Sequence, residues 1–278
     1  MIQDFDFFIL EKKFAVVKKD VNIPIYDFNF RQFFHCKSII RLPEKMTIIA
    51  RIGAFADYNK LYSELLSYNM QLIHTPEQHR RCTLLSQWYP MIKSLTPRSC
   101  CYEKIPTFTE VTNNFSLPIF IKGERQTSKH RQEASIVKSK SDYQKAIEIF
   151  QHDPILKWQK FVCREFIPLL PVAGGTAGKI PASYEFRTFW WKKQFMALGQ
   201  YWFEAEDYKL MEQHQQDVIN IGQKAVNLLE CDFVAIDIAL TKKGQWIVIE
   251  CNDAMESGYA DVSPHFLWQQ ILNFENRS

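Results

Sequence analysis

The sequence predicts an α/β fold in which short strands pair as antiparallel hairpins. Two runs rich in valine, isoleucine and alanine flank a polar segment with a glycine at residues 241–244, which is typical of a β-hairpin. In the N-terminal third, a strand-like run at 47–51 precedes a segment whose leucines are spaced as on one face of a helix. With 278 residues, 46% of them hydrophobic, the chain is long enough to bury a substantial core.

The hairpin at residues 233–252 is predicted to place acidic and amide groups on one face. Because side chains alternate between the two faces of a strand, Glu250 and Asn252 share a face. The opposite face of that second strand is predicted to be apolar: Ile247, Ile249 and Cys251. We expect Leu240 to pair with Gln245 and Asp237 to lie opposite Glu250, with β-carbons roughly 5 Å apart.

These three oxygen-bearing side chains favour a magnesium site. Mg²⁺ takes one or two carboxylates together with water and substrate phosphates. The alternative is a half-exposed hairpin whose polar face meets water. An exposed face would carry lysine and threonine rather than the alanines around Asp237, and like charges placed opposite each other destabilise a sheet unless a cation lies between them. The pattern therefore favours Mg²⁺ bound by Asp237, Glu250 and Asn252.

Composition excludes several classes of partner. The net charge is only +3 and the basic residues are spread along the chain, so nothing indicates a nucleic-acid or membrane partner. The seven cysteines are odd in number and form no CxxC pair, which is typical of reduced thiols in the cytoplasm. The N-terminus lacks a signal-peptide pattern, and no apolar run approaches the length of a membrane span. We therefore expect a soluble cytoplasmic protein.

The order of the metal-site residues resembles a known family. Asp237, then Glu250 thirteen residues later, then x-Asn252, with a turn between and a glycine soon after, resembles the C-terminal signature of the ATP-grasp superfamily. Members use these three residues to hold two Mg²⁺ ions on ATP. The resemblance implies a small pre-grasp α/β lobe at 1–95, a small grasp lobe at 96–160 and a C-terminal grasp lobe at 161–278. The antiparallel sheets of the two grasp lobes would hold ATP between them.

The first 95 residues resemble the pre-grasp lobe in their order of elements. The sequence predicts a helix over 57–70, a strand over 71–74 and a second helix that begins at Thr75-Pro76 and runs toward Pro90. In the family, a lysine on the second helix contacts phosphate. The matching place falls near Arg80 and Arg81, and Arg51 is another candidate. Each of these arginines is also compatible with a solvated surface charge.

The small grasp lobe is predicted to supply a phosphate-binding lysine. Residues 117–122 form a short apolar run that ends in Lys122 and resembles the family's "PvvvKp" strand, whose lysine contacts ATP phosphate. The loop at 123–133 would cover the phosphates. It has one glycine where the family has several, and side-chain donors would have to replace backbone amides there: Lys129, His130 and Arg131. A strand over 134–137 and a helix over 141–150 are predicted to follow.

An alternating run at 158–167 resembles the "vqEfi" hinge strand, whose backbone binds adenine between the lobes. This resemblance implies nucleotide contacts from five consecutive residues: Cys163, Arg164, Glu165, Phe166 and Ile167. Glu165 is the expected purine or ribose contact. The glycine-containing segment that follows lacks the P-loop pattern, since Lys179 precedes an isoleucine instead of serine or threonine. We expect a flexible connection there.

The strand predicted at 184–190 carries Glu185 and Arg187 on one face and resembles the "E-x-R" strand of divergent ATP-grasp clades. In those clades the arginine reaches phosphates or the acyl intermediate. The alternative is an ion pair on the surface of a strand. A hairpin partner at 195–202, a helix at 207–229 and a closing helix at 264–274 complete the prediction, and Ser257-Gly258 would face substrate.

The resemblance implies an ATP-dependent ligase that joins a carboxylate to an amine or another nucleophile. The carboxylate would attack the γ-phosphate to give an acyl phosphate, and the nucleophile would then displace phosphate. Lys122 and Arg187 would stabilise the developing charge. The substrates implied are small-molecule or peptide carboxylates and amines. Two alternatives remain open: a nucleotide-binding module without catalysis, and a kinase-like enzyme that phosphorylates a non-carboxylate acceptor.

Overall fold

The structure is a computed structural model that describes residues 7–9, 45–51, 57–127, 131–203 and 205–277. The predicted donors Lys129 and His130 lie outside these residues, as does most of the chain before residue 45. Strands and helices alternate along the described ranges, with a short 3₁₀ helix at Gln132–Ala134. The strands are β1 (Phe7–Ile9), β2 (Met46–Ile49), β3 (Met70–Leu72), β4 (Ser99–Tyr102), β5 (Ile119–Gly123), β6 (Ile136–Val137), β7 (Phe161–Glu165), β8 (Glu185–Trp191), β9 (Gln194–Gln200), β10 (Phe233–Leu240) and β11 (Trp246–Asp253).

The helices flank the sheets that these strands form. They are α1 (Tyr58–Leu66), α2 (Pro76–Thr83), α3 (Leu85–Ile92), α4 (Phe108–Asn114), α5 (Lys140–His152), α6 (Glu212–Leu229) and α7 (Pro264–Glu275). Within the described ranges, none of them combines the length and the apolar character that a bilayer crossing requires.

Three sheets organise the described residues. Strands β1, β2 and β3 lie side by side in that order and run parallel. The second sheet has the order β4-β7-β5-β6 and the third has the order β11-β10-β8-β9, and all neighbours in both are antiparallel. The predicted fold class, an α/β unit followed by two antiparallel sheets, is confirmed.

The second predicted helix is divided into two. Helix α2 begins after Thr75, which forms a capping box with Gln78, as the Thr-Pro sequence predicts. It ends at Thr83, because Leu84 adopts an extended backbone and Leu85 then donates its backbone N–H to the carbonyl of Glu124, 3.3 Å away. This long-range contact interrupts the helix before Pro90, which lies inside α3.

The small sheet packs on helix α5. Tyr143, Ala146 and Phe150 lie three and four residues apart, so they share one helical face, and all three are buried. They pack against Ile121 of β5 and Phe161 of β7 in one apolar cluster. The central strands β5 and β7 are thereby fixed with their ends toward the large sheet.

The large sheet packs on helix α6. Val234, Ile236 and Ile238 alternate along β10 and lie in one apolar cluster with residues of α6, as the alternation predicts. The approach is close. A β-carbon at Gly222 would lie 2.3 Å from the ring of Trp190, so this position excludes any larger side chain. The opposite face of the sheet is therefore the one available to a ligand.

A β-bulge sets the register of the predicted hairpin. Leu240 pairs with Trp246, so the predicted pair with Gln245 is wrong, but Asp237 does lie opposite Glu250. Both pairs occur together because the register shifts by one residue between Asp237 and Ile238.

The bulge also overturns the predicted division of faces on β11. Ile247 and Ile249 border a cavity together with Glu250, instead of lying behind it. Cys251 packs with Val248 in the cluster beneath α6. The extra residue reverses the alternation at this point, so an unbroken period of two assigned these side chains to the wrong faces.

Candidate functional site

A cavity of about 460 Å³ lies between the small and the large sheet. The small sheet contributes Phe120 and Ile136 to its wall, and the large sheet contributes Ile247 and Ile249. Pro97 and Trp202 add further apolar surface. A cavity of this size with mostly apolar walls suits a flat aromatic ring.

The predicted hinge forms one side of this cavity. Arg164, Glu165, Phe166 and Ile167 all border it, and the chain continues along it through residues 168 and 169. Cys163 does not border it, because its side chain is fully buried in the core of the small sheet. Burial there raises the pKa of the Cys163 thiol to about 12, so the thiol is neutral at physiological pH.

Charged side chains form a row across the large sheet. Arg187 of β8, Asp237 of β10 and Glu250 of β11 occupy directly opposed positions on three neighbouring strands. The Arg187 guanidinium binds the Asp237 carboxylate with two hydrogen bonds, from Nε to Oδ1 and from Nη2 to Oδ2, each 2.8 Å long. This two-bond geometry is the strong form of an arginine–carboxylate pair.

The small sheet completes the row with a second cation. Lys122, at the predicted position near the end of β5, reaches across the cavity, and its ammonium group contacts Oε1 of Glu250. The Lys122 side chain is 3% exposed and that of Glu250 11%. The two acids therefore lie side by side with a cation at each end, which removes the like-charge cost of their pairing.

Asn252 follows Glu250 by two residues on β11 and lies opposite Ala235 in the register. Alternation places it on the same face as Glu250. It is half-buried and does not border the cavity, and neither do Asp237 and Arg187. Among the acids and amides predicted as ligands, Glu250 is thus the one that meets the cavity directly.

Glu185 borders the cavity two residues before Arg187. Its Oε2 accepts hydrogen bonds from the indole N–H of Trp202 at 3.0 Å and from the Ser183 hydroxyl at 3.2 Å. The carboxylate is thereby held among polar donors, with Trp202 forming adjacent cavity wall. The surface ion pair considered for this strand is excluded, since Glu185 and Arg187 are both buried.

Arg164 of the hinge strand is almost fully buried beside Glu250. One guanidinium nitrogen, Nη1, donates to the carbonyl of Ile249 at 2.6 Å, and Nη2 donates to the Thr96 hydroxyl. Its Nε has no hydrogen-bond partner within the described ranges. Removal from water lowers the pKa of Arg164 to about 10, although the nearby Glu250 carboxylate opposes the shift.

The loop after Asn252 is held by arginines. The Arg51 side chain is fully buried, contacts the carbonyl of Ala254 and donates to that of Ser257 at 2.8 Å, while Arg187 donates to the carbonyl of Gly258 at 2.9 Å. Arg51, considered as a phosphate contact, is instead bonded to this loop. Ser257 is buried, which differs from the predicted substrate-facing position.

Glu256 joins three parts of the chain. Its carboxylate binds His79 of α2 at 2.8 Å and Arg125 of the loop after β5 at 2.5 Å. All three side chains are buried. Burial disfavours the charged form of Glu256, but the charges of Arg125 and His79 outweigh it and lower its pKa below the usual range. The loop that was predicted to cover phosphates is thus bonded to the C-terminal lobe through Arg125.

Two predictions concerning other segments are wrong. Arg80 is exposed, and Arg81 pairs with Glu77 and Glu230 on the surface, so neither approaches the cavity. The connection expected to be flexible after the hinge has isolated bridge pairs with neighbouring segments, and residues 180–183 border the cavity. Its glycines at 174, 175 and 178 have positive φ angles, which explains why the sequence needs glycine there.

Sequence reasoning missed the apolar walls and the Glu256 cluster. The hydrophobic positions on β5, β6 and β11 were assigned to cores, since a cavity wall and a core use the same residue types. His79, Arg125 and Glu256 are far apart in sequence and carry no local pattern. The closeness of Lys122 to Glu250 was implicit in the assignment of both to one phosphate site.

Two antiparallel sheets that enclose an apolar cavity, with a lysine of one facing acids of the other, define a protein of the ATP-grasp class. Residues 104–271 match a family described as an ATP-grasp domain, the third family of its clade. The match covers more than half of the chain, and the protein belongs to this family. No curated protein matches the sequence.

Solved structures show the same fold at low sequence identity. N5-carboxyaminoimidazole ribonucleotide synthetase from Thermotoga maritima has a TM-score of 0.53 and 14% identity over 82% of this chain, which spans 58% of the synthetase. VanG D-Ala:D-Ser ligase from Enterococcus faecalis has a TM-score of 0.55 and 14% identity, covering 93% of this chain and 78% of the ligase. The ATP-grasp ligase PsnB, solved with its precursor peptide PsnA2 and AMPPNP, has a TM-score of 0.52 and 12% identity, covering 80% and 69%. At these identities, the similarity establishes the fold.

Proposed function

We propose that this protein is an ATP-dependent ligase that forms a carbon–nitrogen bond between a carboxylate and an amine, releasing ADP and phosphate. The observation that carries the proposal is the row of Arg187, Asp237 and Glu250, closed by Lys122, at the end of an apolar cavity. Membership of the ATP-grasp family supports the use of ATP.

The cavity walls suit the adenine ring. Phe120 and Ile136 on one side and Ile247 and Ile249 on the other would enclose it, and the backbone of residues 165–167 would supply its hydrogen bonds. The phosphates would then extend toward Lys122 and Glu250, the charged end of the cavity.

The donor set fits magnesium. Asp237 and Glu250 lie opposite each other, are nearly buried and are each already paired with a cation, so the site holds two carboxylates in the charged form. These carboxylates, with the side-chain oxygen of Asn252, would hold the metal. Bound Mg²⁺ would neutralise phosphate charge during phosphoryl transfer.

Lys122 has two roles in this proposal. Without nucleotide its ammonium group pairs with Glu250, and with ATP bound it would turn to a phosphate oxygen, leaving the carboxylate to the metal. Arg187 would keep Asp237 oriented and stabilise negative charge that develops on the transferred group. Closure of the small sheet over the cavity would exclude water.

The reaction proposed has two steps. An oxygen of the substrate carboxylate attacks the γ-phosphorus of ATP, and the bond from that phosphorus to the bridging oxygen of ADP breaks. The amine nitrogen then attacks the acyl carbon of the resulting acyl phosphate, inorganic phosphate leaves, and the nitrogen loses a proton. The substrates would be small molecules, as for a D-Ala:D-Ser ligase, or a peptide, as for PsnB.

The test is ADP release by the full chain with Mg²⁺-ATP and panels of amino acids, peptides and polyamines. A ligase releases ADP and phosphate only when both an acid and an amine are present. An ¹⁸O label in the substrate carboxylate should be recovered in inorganic phosphate, because the acyl phosphate carries one carboxylate oxygen on phosphorus. Accumulation of a phosphorylated product without free phosphate would instead establish a kinase. Nucleotide binding without ADP release under any condition would establish a non-catalytic module.

A further inference from the structure

Strand β11 is an edge strand whose outer side binds residues that precede and follow it in the fold. On that side, the backbone N–H of Val248 donates to the carbonyl of Leu95 at 2.8 Å. The Thr96 hydroxyl donates to the carbonyl of Val248 at 2.8 Å, and Arg164 Nη1 donates to the carbonyl of Ile249 at 2.6 Å.

Two successive carbonyls are therefore bound by the same pair of side chains. In a regular strand, consecutive carbonyls point to opposite sides, so one of these two would face β10. The bulge at this position, where the register shifts, allows both to be reached by Thr96 and Arg164. These two side chains are also bonded to each other, through Arg164 Nη2 and the Thr96 hydroxyl.

The bulge decides which face carries Glu250. Counting from the Ile238–Val248 pair in an unbroken ladder, Asp237 would lie opposite Ile249, and Glu250 would lie opposite Ile236. Ile236 belongs to the apolar cluster beneath α6. Without the bulge, the Glu250 carboxylate would thus point away from Lys122 and into a hydrophobic core.

We propose that Arg164 and Thr96 are positioning residues that hold the β11 bulge and thereby present Glu250 to the metal site. The inference rests on the proposed function, because it concerns Glu250 as a metal ligand. Arg164 is 4% exposed, and a buried guanidinium is costly unless its hydrogen bonds do something that an apolar side chain would not. It lies on the hinge strand of the small sheet, so it also ties the hinge to the strand that carries Glu250.

Thr96 provides the clean variant, since it does not border the cavity. Thr96→Val keeps the shape of the side chain but removes the hydroxyl that binds both Val248 and Arg164, whereas Thr96→Ser keeps that hydroxyl. Arg164→Met and Arg164→Lys remove the guanidinium fork, and the lysine retains the charge. Lys160→Met is the control, because it removes a cation of the same sheet that pairs with Glu103 on the surface.

The measurement is the dissociation constant of ADP for the full chain, by calorimetry, with and without Mg²⁺. The quantity compared is the factor by which Mg²⁺ tightens ADP binding. We expect Thr96→Val and both Arg164 variants to reduce this factor about tenfold, as for groups that orient a metal ligand. Thr96→Ser and Lys160→Met should leave it within about twofold of wild type.

The outcomes separate the two proposals. If wild type binds ADP more tightly with Mg²⁺ and the Thr96→Val and Arg164 variants keep the same factor, the positioning role is wrong and the metal site stands. If wild type shows no Mg²⁺ effect, the metal site itself is wrong, and this inference is overturned with it. A crystal structure of Thr96→Val gives a second measurement. Asp237 paired with Glu250 through an unchanged bulge would overturn the inference, and a shifted or mixed register would support it.

Discussion

Replacing Glu250 with glutamine distinguishes a metal site from two acids that are merely adjacent. If adjacency were all, losing one negative charge would relieve repulsion from Asp237 and stabilise the fold. The structure predicts the opposite, because Asp237 is already paired with Arg187 and because the change leaves the buried ammonium group of Lys122 without its carboxylate.

The magnitude follows from the distances. At about 5 Å across the hairpin and an effective dielectric constant of about 20, the repulsion between Asp237 and Glu250 is at most about 3 kcal/mol. At an ordinary ion-pair distance of about 2.8 Å, the attraction between Lys122 and Glu250 is about 6 kcal/mol in the same medium. We therefore expect Glu250→Gln to lower the free energy of unfolding by about 3 kcal/mol, which agrees with the cost of breaking other buried pairs. For a chain of this size, Tm should fall by roughly 6–12 °C.

The assay is thermal unfolding of wild type and Glu250→Gln without ligand, with ADP, and with ADP and Mg²⁺. Glu250→Gln should also lose the additional stabilisation that Mg²⁺ confers on the ADP complex. Adding Lys122→Met should restore part of the ligand-free stability, with a coupling of about 2 kcal/mol in the double-mutant cycle. Glu230→Gln, which removes a 65% exposed carboxylate, is the matched control and should change Tm little. A raised Tm for Glu250→Gln with the Mg²⁺ effect retained would refute the reasoning.

Two further predictions concern the cavity wall and the Glu256 cluster. Phe120→Ala should weaken ADP binding about tenfold both with and without Mg²⁺, because it removes apolar wall and no charge; calorimetry that shows unchanged affinity would remove Phe120 from the nucleotide site. Glu256→Gln should destabilise the fold most at neutral pH, since the folded-state pKa of Glu256 lies below its ordinary 4.5 and its stabilisation is complete above that pH and lost as pH falls through the folded pKa. Denaturant unfolding from pH 7 to pH 3.5 should therefore show a shrinking difference from wild type below pH 4.5, and a constant difference would count against the ionised pair.

Local patterns predicted the elements that form the site. Alternation along β10 correctly placed Asp237 on the face opposite Ile236, because that strand is regular over the first half of its length. The same reasoning failed on β11, since one inserted residue changes the face of every side chain beyond it and leaves no mark in a two-residue period. Glu250 reached the predicted face only because of that unpredicted bulge.

Contacts between distant segments account for the rest. The roles of Arg51 and Arg164 depend on carbonyl groups about 200 and 85 residues away in the chain, at Ala254 and Ile249. A carbonyl is present at every residue, so no residue type marks the partner in the sequence. Lys122 was predicted through its strand-end position and its resemblance to a family motif, whereas its contact with Glu250 required the two sheets to be brought together.

The bonds along the outer side of β11 also bear on how the protein meets other chains. An exposed edge strand offers unpaired backbone groups to which a strand from another molecule can add, which leads to aggregation or to recognition of extended peptides. At Val248 and Ile249 those groups are already bound by Leu95, Thr96 and Arg164. This part of the sheet is therefore closed to strand addition. A peptide substrate of the proposed ligase would be recognised through its side chains and its terminal groups rather than by pairing with the edge of β11.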